Sequence, residues 1–403
     1  MTNILVVSQQ NPNDPLNGCD HRIWNLLSQG RASVLCFGQK EYAENGQLLT
    51  KKYEWQNIES ALLPKRIQSI SHQDFFVRLF IQRNQDQISI IRKYVQNNLK
   101  NNQDTVLIGL GHEIGIILSV YFPYQFIFEA NADSKSLYFE RRFQYLGYDQ
   151  FLKKLNSKYL SLVYRSVENY ITRHSQLCIV PSEIDRQWIL KGNPQANVFS
   201  IGNGTSWLEQ PPINKIPKDS QYQSVIAFHG GMTWPANRTC ALYLIKNIFP
   251  LIQSHYPAVT LRIAGGPIIG ELASVDNIDG VEICGFVENI RDWLAECDVY
   301  VMPMLEGSGI KTKLTEAMAA GLTVVTNSLG AEALPEEAKQ GVIIADGEEK
   351  IANAVVYLLN NPEESLKLGK KARVMAEKYF RWETISQQLM TKIEEISQPI
   401  NNV

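Results

Sequence analysis

Short apolar runs of strand character alternate with amphipathic stretches along the whole 403-residue chain, and this alternation is the strongest constraint on its fold. ILVVS (4–8), VLCFG (34–38), VLIGLG (106–111), FIFEA (126–130) and LCIVPS (177–182) read as buried strands. Between them, residues 74–100 and 150–172 carry apolar side chains at helical spacing. Residues 204–222, GTSWLEQPPINKIPKDSQY, break the pattern with three prolines and no periodicity, which marks a linker. A second series follows in VIAFHGG (225–231), TLRIAGG (260–266), VEICGF (281–286), VYVMP (299–303), LTVVTN (322–327) and VIIA (342–345). The expectation is an α/β protein of two doubly wound parallel-sheet domains facing a cleft: residues 1–203, a linker at 204–222, and 223–379. Residues 380–403 form a C-terminal helix that packs back toward the first domain, with Trp382 as its pin or as a plain core residue.

Length alone argues for two cores. A 44% apolar and 20% charged composition is that of a soluble globular protein, and no run of ~20 apolar residues is present to span a membrane. The N-terminal apolar run is too short for a signal peptide. Six cysteines without a Cys-x-x-Cys pair read as reduced thiols of a cytoplasmic protein, with no metal cluster. The net charge of −2 is uneven: residues 1–200 hold 22 Lys and Arg against 17 Asp and Glu. That slight excess permits peripheral contact of the N-terminal domain with the inner face of an anionic membrane. It is too weak for nucleic acid.

The richest chemistry lies in 306–332, EGSGIKTKLTEAMAAGLTVVTNSLGAE. Gly307 and Gly309 allow a tight turn and close backbone approach to a ligand, and the helix that follows presents unpaired amides and a positive dipole end. Lys311 and Lys313 fall in its first turn, where cations are disfavoured unless an external anion joins them. Glu316, one turn on, is placed to accept hydrogen bonds from vicinal hydroxyls such as those of a ribose. An ordinary helix with solvated lysines is the plain alternative.

In this order, the pieces resemble the two-domain glycosyltransferases of the GT-B fold, built from two Rossmann-like domains, and most closely glycosyltransferase family 4 (group 1) and its Gly-Ser-Gly-x-Lys-x-Lys relatives. GSGIKTKLTEAMAAGLTVV resembles their nucleotide-sugar signature. Asn17 and Gly18 resemble the N-terminal glycine loop, IGNGT (201–205) the segment before the linker, FHGGMTWPAN (228–237) the turn opening the second domain, and CGFVENIRDWLAECDVYVMP (284–303) a further family segment. The resemblance implies that Glu316 binds the ribose hydroxyls. It also implies that Lys313, with Lys311, neutralises the diphosphate beside the amides of Gly309 and Ile310. The backbone at Phe286 and Val287 meets the nucleobase, Gly230 and Gly231 admit the phosphate, and Gly18 closes over it. Two positions depart from the family pattern: Ser308 stands where many members have a sugar-contacting glutamate, and Met232 and Thr233 where many have an arginine.

For the acceptor side, His112 and Asp133 follow the ends of predicted strands and are the candidate acid/base groups. His112 reads equally as a structural hydrogen-bonder, and Asp133 as the cap of a helix starting at Ser134 or Lys135. Residues 71–83, SHQDFFVRLFIQR, read as core packing or as a membrane-facing surface. The function expected is a metal-independent, cofactor-free transferase of the hexosyl type. It moves sugar from a nucleoside diphosphate sugar, UDP before GDP, to a saccharide or lipid-linked acceptor in bacterial surface glycan synthesis, with retention favoured over inversion. A UDP-sugar epimerase of the same fold and a non-catalytic nucleotide-sugar binder are the alternatives.

Overall fold

The computed structural model describes residues 3–8, 22, 25–27, 31–36, 75–101, 105–130, 134–213, 223–275 and 278–397. The chain divides into two units, Met1–Asn203 with Trp382–Val403, and Gly204–Arg381. The first holds strands β1 (Asn3–Ser8), β2 (Arg31–Cys36), β3 (Thr105–Leu110), β4 (Phe126–Glu129), β5 (Leu177–Val180) and β6 (Val198–Ser200) in the order β2-β1-β3-β4-β5-β6. Its helices include α1 (Phe75–Arg83), α2 (Gln85–Asn101), α3 (His112–Tyr121), α4 (Lys135–Tyr145), α5 (Phe151–His174) and α6 (Glu183–Gly192). In the second unit β7 (Ser224–His229), β8 (Val259–Ala264), β9 (Val281–Gly285), β10 (Val299–Met302), β11 (Val324–Thr326) and β12 (Ile343–Ile344) run in the order β12-β11-β10-β7-β8-β9. Around them lie α7 (Pro235–Tyr243), α8 (Phe249–His255), α9 (Ile290–Leu294), α10 (Thr312–Ala319), α11 (Ser328–Ala331), α12 (Glu348–Asn360) and α13 (Pro362–Tyr379). The last helix, α14 (Trp382–Ser397), belongs to the first unit. Every adjacent strand pair is parallel.

Both sheets are covered on their two faces, which is why their strands read as unbroken apolar runs. The period of two is plain in the first unit. Leu5, Val7, Leu107, Phe126 and Phe128 pack with α1–α3 and α5 on one face. Ile4, Val6, Ile108, Ile127 and Ile179 meet Leu26, Leu27 and the α14 side chains Ile385, Leu389 and Ile393 on the other. Each of these three α14 side chains contributes roughly 1.5–3 kcal/mol by leaving water. Ser386 Oγ adds a hydrogen bond to the carbonyl of Leu26 at 2.8 Å.

Strand order reverses between β1 and β3 in the first sheet and between β7 and β10 in the second. In doubly wound sheets ligands bind beyond the carboxyl ends of the strands at such a point. The loop after β10 therefore opens beside the loop after β7.

Four sequence expectations change in detail. The 74–100 stretch splits at Asn84, whose side-chain amide donates to the carbonyl of Phe80 at 2.9 Å, a local bond that competes with the helix ladder. β6 goes unanticipated because it has three residues, of which only Val198 is buried. The linker expected at 204–222 does not begin at 204: Leu208 sits in the second core, and the amide of Ile213 donates to the carbonyl of Ala320 at 2.8 Å. Arg373 of α13 fastens this segment through the carbonyls of Leu208 and Ala319. Finally, Phe380 is buried in the second core, so the change of unit falls after it, at Trp382. No helix among the described residues is long and apolar enough to cross a membrane.

Candidate functional site

At the reversal point of the second sheet, the chain leaves β10 through Glu306–Lys311 and enters α10. Gly307 (φ 112°) and Gly309 (φ 65°) take backbone conformations that a side chain would strain. Lys311 occupies the cap position ahead of α10. The amides of Thr312 and Lys313 precede the first amide to donate within the helix, that of Leu314, which donates to the carbonyl of Lys311 at 2.8 Å. These first-turn amides, with the dipole behind them, form an anion-binding end.

The two lysines of this turn have separate fates. Lys311 is 7% exposed, and its ammonium donates to the carbonyls of Ser308 (3.1 Å) and Gly309 (2.9 Å) and stands 3.6 Å from Glu332 Oε1. It stitches the glycine loop to itself: a buried ammonium needs acceptors, and here it takes protein ones. Lys313 is half-buried, and desolvation lowers the proton affinity of its ammonium. Cys240 and Glu316 act in the opposite, weaker sense. Gly230 makes room for it: a β-carbon there would lie 3.1 Å from Lys313 Cε and 2.9 Å from the Asn237 amide. Around Gly231, by contrast, a β-carbon would meet nothing.

Glu316 reaches the same place from α10, with its side chain 30% exposed and Oε2 3.5 Å from His229 Nε2. His229 ends β7 and lies parallel to the ring of Trp207, with 6.5 Å between centroids. Its Nδ1 and the Oδ1 of Asn237 are buried without a hydrogen-bond partner, although Asn237 Nδ2 donates to the carbonyl of Gly231 at 2.8 Å. Buried polar atoms left open in this way mark where a ligand or water completes the site. His229 and Asn237 escaped the residue-by-residue sequence reading, although both lie in the FHGGMTWPAN segment.

The remaining donor-side candidates surround this centre. Ser308 and Ile310 are 9% and 8% exposed. Phe286 is 77% exposed and packs beside Gly266, with Val287 half-buried after it, at the carboxyl end of β9. Met232 is fully buried in the core. The nearby Arg238 spends its guanidinium on the carbonyls of Met232 and Thr233, so it braces the turn.

In the first unit, Gly18 and Asp133 lie outside the described residues. His112 opens α3 and is almost wholly buried, its Nε2 3.1 Å from Glu168 Oε1. That same oxygen accepts from the Ser134 hydroxyl (3.0 Å) and the Ser136 amide (3.2 Å). With those donors already on the carboxylate, Nε2 carries the proton toward it. Ser134 caps α4, accepting from the amide of Leu137 at 3.4 Å. A second buried cluster went unseen in the sequence. Arg22 Nε donates to Glu129 Oε1 at 3.0 Å, and its other nitrogens reach the carbonyls of Ile201 and Gly202 and the Asn203 side chain. It ties the ends of β4 and β6 to the segment after β1; a lone arginine at position 22 gives no local signal of this.

Residues 223–361 match the family described as glycosyl transferases group 1. A phosphatidyl-myo-inositol mannosyltransferase from Mycolicibacterium smegmatis is 23% identical over 54% of this chain and 57% of its own length. The chain spans between about a fifth and just over half the length of the curated relatives it matches. Among solved structures, sucrose-phosphate synthase from Thermosynechococcus elongatus superposes with a TM-score of 0.68 at 16% identity, covering 98% of this chain and 99% of that one. The Anabaena protein HepE in complex with UDP and glucose gives 0.65 at 15% identity, covering 98% and 100%. The second unit, with its glycine-lysine-glutamate site, thus belongs to the group 1 glycosyl transferases, carried on a chain of two Rossmann-like parallel-sheet units with the GT-B fold.

Proposed function

We propose that this chain transfers a sugar from a nucleoside diphosphate sugar, UDP before GDP, to a saccharide or lipid-linked acceptor as a step of surface glycan assembly. The observation that carries the reading is Lys313: an ammonium desolvated by the fold, beside unpaired first-turn amides, at the reversal point of the sheet. Such a cation is costly until an anion joins it, and a diphosphate supplies one with the spread of charge that amides and lysine together match. Glu316, braced by His229, takes the ribose hydroxyls, and the backbone at Phe286 and Val287 takes the base. Gly309 and Ile310 offer amides, Ser308 stands toward the transferred sugar, and Gly230 and Gly231 give the phosphate access.

In this reading the leaving diphosphate is stabilised by Lys313 and the helix end without a metal, and the configuration of the sugar is retained. His112, oriented through Glu168, and Asp133 serve the acceptor side, and Gly18 covers the diphosphate. HepE, which shares the fold, is described as a complex with UDP and glucose, and this favours UDP here.

A thermal-shift panel of UDP, GDP, dTDP, ADP and CMP tests the proposal. At ~100 times its dissociation constant a ligand adds roughly 2.7 kcal/mol. UDP should stabilise the native chain and neither Lys313→Ala nor Glu316→Ala. Equal responses from the variants, or no response to any nucleotide, would sink the reading.

A further inference from the structure

Helix α5 is apolar on two opposite sides. Leu160, Val163, Val167 and Ile171 enter the core of the first unit. With residues set ~100° apart, Phe151, Leu155 and Leu162 fall together on the reverse side, and each is half exposed or more. Leu152 (80%), in the first turn of the helix, and Tyr148 (84%), in the turn before it, border this face, and Tyr145 at the end of α4 adjoins it in sequence. Six of the sixteen large exposed apolar side chains among the described residues thus lie within 145–162, while the other ten are scattered. A surface helix normally turns a polar side to water, and a concentrated apolar face marks a contact surface.

The charge around this face indicates the partner. From Glu140 to Lys158, five Lys and Arg stand against two acids. Lys158 pairs with Glu140 at 2.8 Å, and Lys154 lies over the rings of Phe143 (5.1 Å) and Tyr148 (5.2 Å) with its ammonium on the carbonyl of Leu146 at 2.6 Å. Lys153 is exposed. Basic heads beside exposed leucine and aromatic side chains are the arrangement of a helix lying in the headgroup region of a bilayer. A second copy of this chain fits less well, since a two-fold contact would bring the same positive groups together.

We propose that this face docks the first unit on an anionic lipid surface. It is not the segment that the sequence suggested: in α1, Phe76, Val77 and Phe80 turn into the core.

Co-sedimentation of the full chain with vesicles of phosphatidylglycerol and phosphatidylcholine, or of phosphatidylcholine alone, tests the proposal. Binding should require the anionic lipid and fall at high salt. Partitioning should drop about tenfold or more in Leu152→Ser/Leu155→Ser and in Lys154→Gln/Lys158→Gln, with thermal unfolding unchanged as the control for folding. The proposal is overturned by absence of binding, by equal binding to both vesicles, or by equal binding of variants and native chain. It also fails if the native chain forms a dimer that Leu152→Ser/Leu155→Ser disperses. So would a Leu155→Cys thiol closed to labelling without vesicles, since the chain itself would then cover the face.

Discussion

The two sheets reverse at equivalent points, but the groups gathered there are of opposite kinds. In the second unit the centre is a stretch of eleven residues, Glu306 to Glu316, joined by the end of β7. It offers backbone amides, glycines and one desolvated lysine, and its polar atoms at His229 and Asn237 are left open. In the first unit, residues as far apart as Arg22 and Asn203, or His112 and Glu168, close on one another in buried pairs. One cluster leaves polar atoms open, while the other pairs its side chains with one another. The family match covers 223–361, within the second unit.

Four measurements would break or sharpen that contrast. The largest effect is expected from Arg22→Met, which strands the buried Glu129 carboxylate and should cost the first unit about 3–5 kcal/mol in urea unfolding. UDP affinity in the absence of urea should stay within about twofold, because Arg22 holds structure and not nucleotide. Next, Lys313→Ala should weaken UDP by roughly 100-fold in calorimetric titration, near 3 kcal/mol, with no loss in melting temperature. A marked drop in melting temperature would place Lys313 with the structural pairs instead.

Glu168→Gln should lower stability by about 1–3 kcal/mol, since one oxygen of a carboxylate fed by Ser134, Ser136 and His112 becomes a donor facing donors. The smallest effect concerns pH. Burial holds Lys313 below its ordinary value of 10.5, so between the two values the unfolded chain binds more protons and stability rises with pH. Without nucleotide, Lys313→Met should therefore be the more stable protein at neutral pH. Its advantage should shrink as pH climbs through the depressed value toward 10.5. An advantage that grows with pH would contradict the desolvated ammonium.

The same contrast explains what could be read before the structure. Strands such as 106–111 and 322–327 were legible because burial on both faces makes their composition distinctive. β6 was not, because three residues with one buried side chain carry no pattern. The glycine-lysine-glutamate stretch announced an anion site because its parts are neighbours in sequence. Sequence could not foresee that the Lys311 ammonium turns back onto the carbonyls of Ser308 and Gly309 and toward Glu332, because the fold alone brings those groups to it. Arg22 and Glu129 were invisible for the same reason at greater range: 107 residues separate two partners that the fold alone brings together.

Helix α14 covers a sheet that was finished, in sequence, long before it. About 180 residues of the second unit intervene. A ribosome adding ~5–20 residues per second therefore needs roughly 10–40 s to deliver them. Throughout that interval Ile4, Val6, Ile108 and Ile127 have no partner in Ile385, Leu389 and Ile393. The nascent first unit must wait with this greasy face covered only in part, by Leu26 and Leu27, a natural client for a chaperone at the exit tunnel, while the second unit can mature first. A permuted gene that places residues 382–397 ahead of β1 would remove the wait and should give more soluble protein from the same number of transcripts.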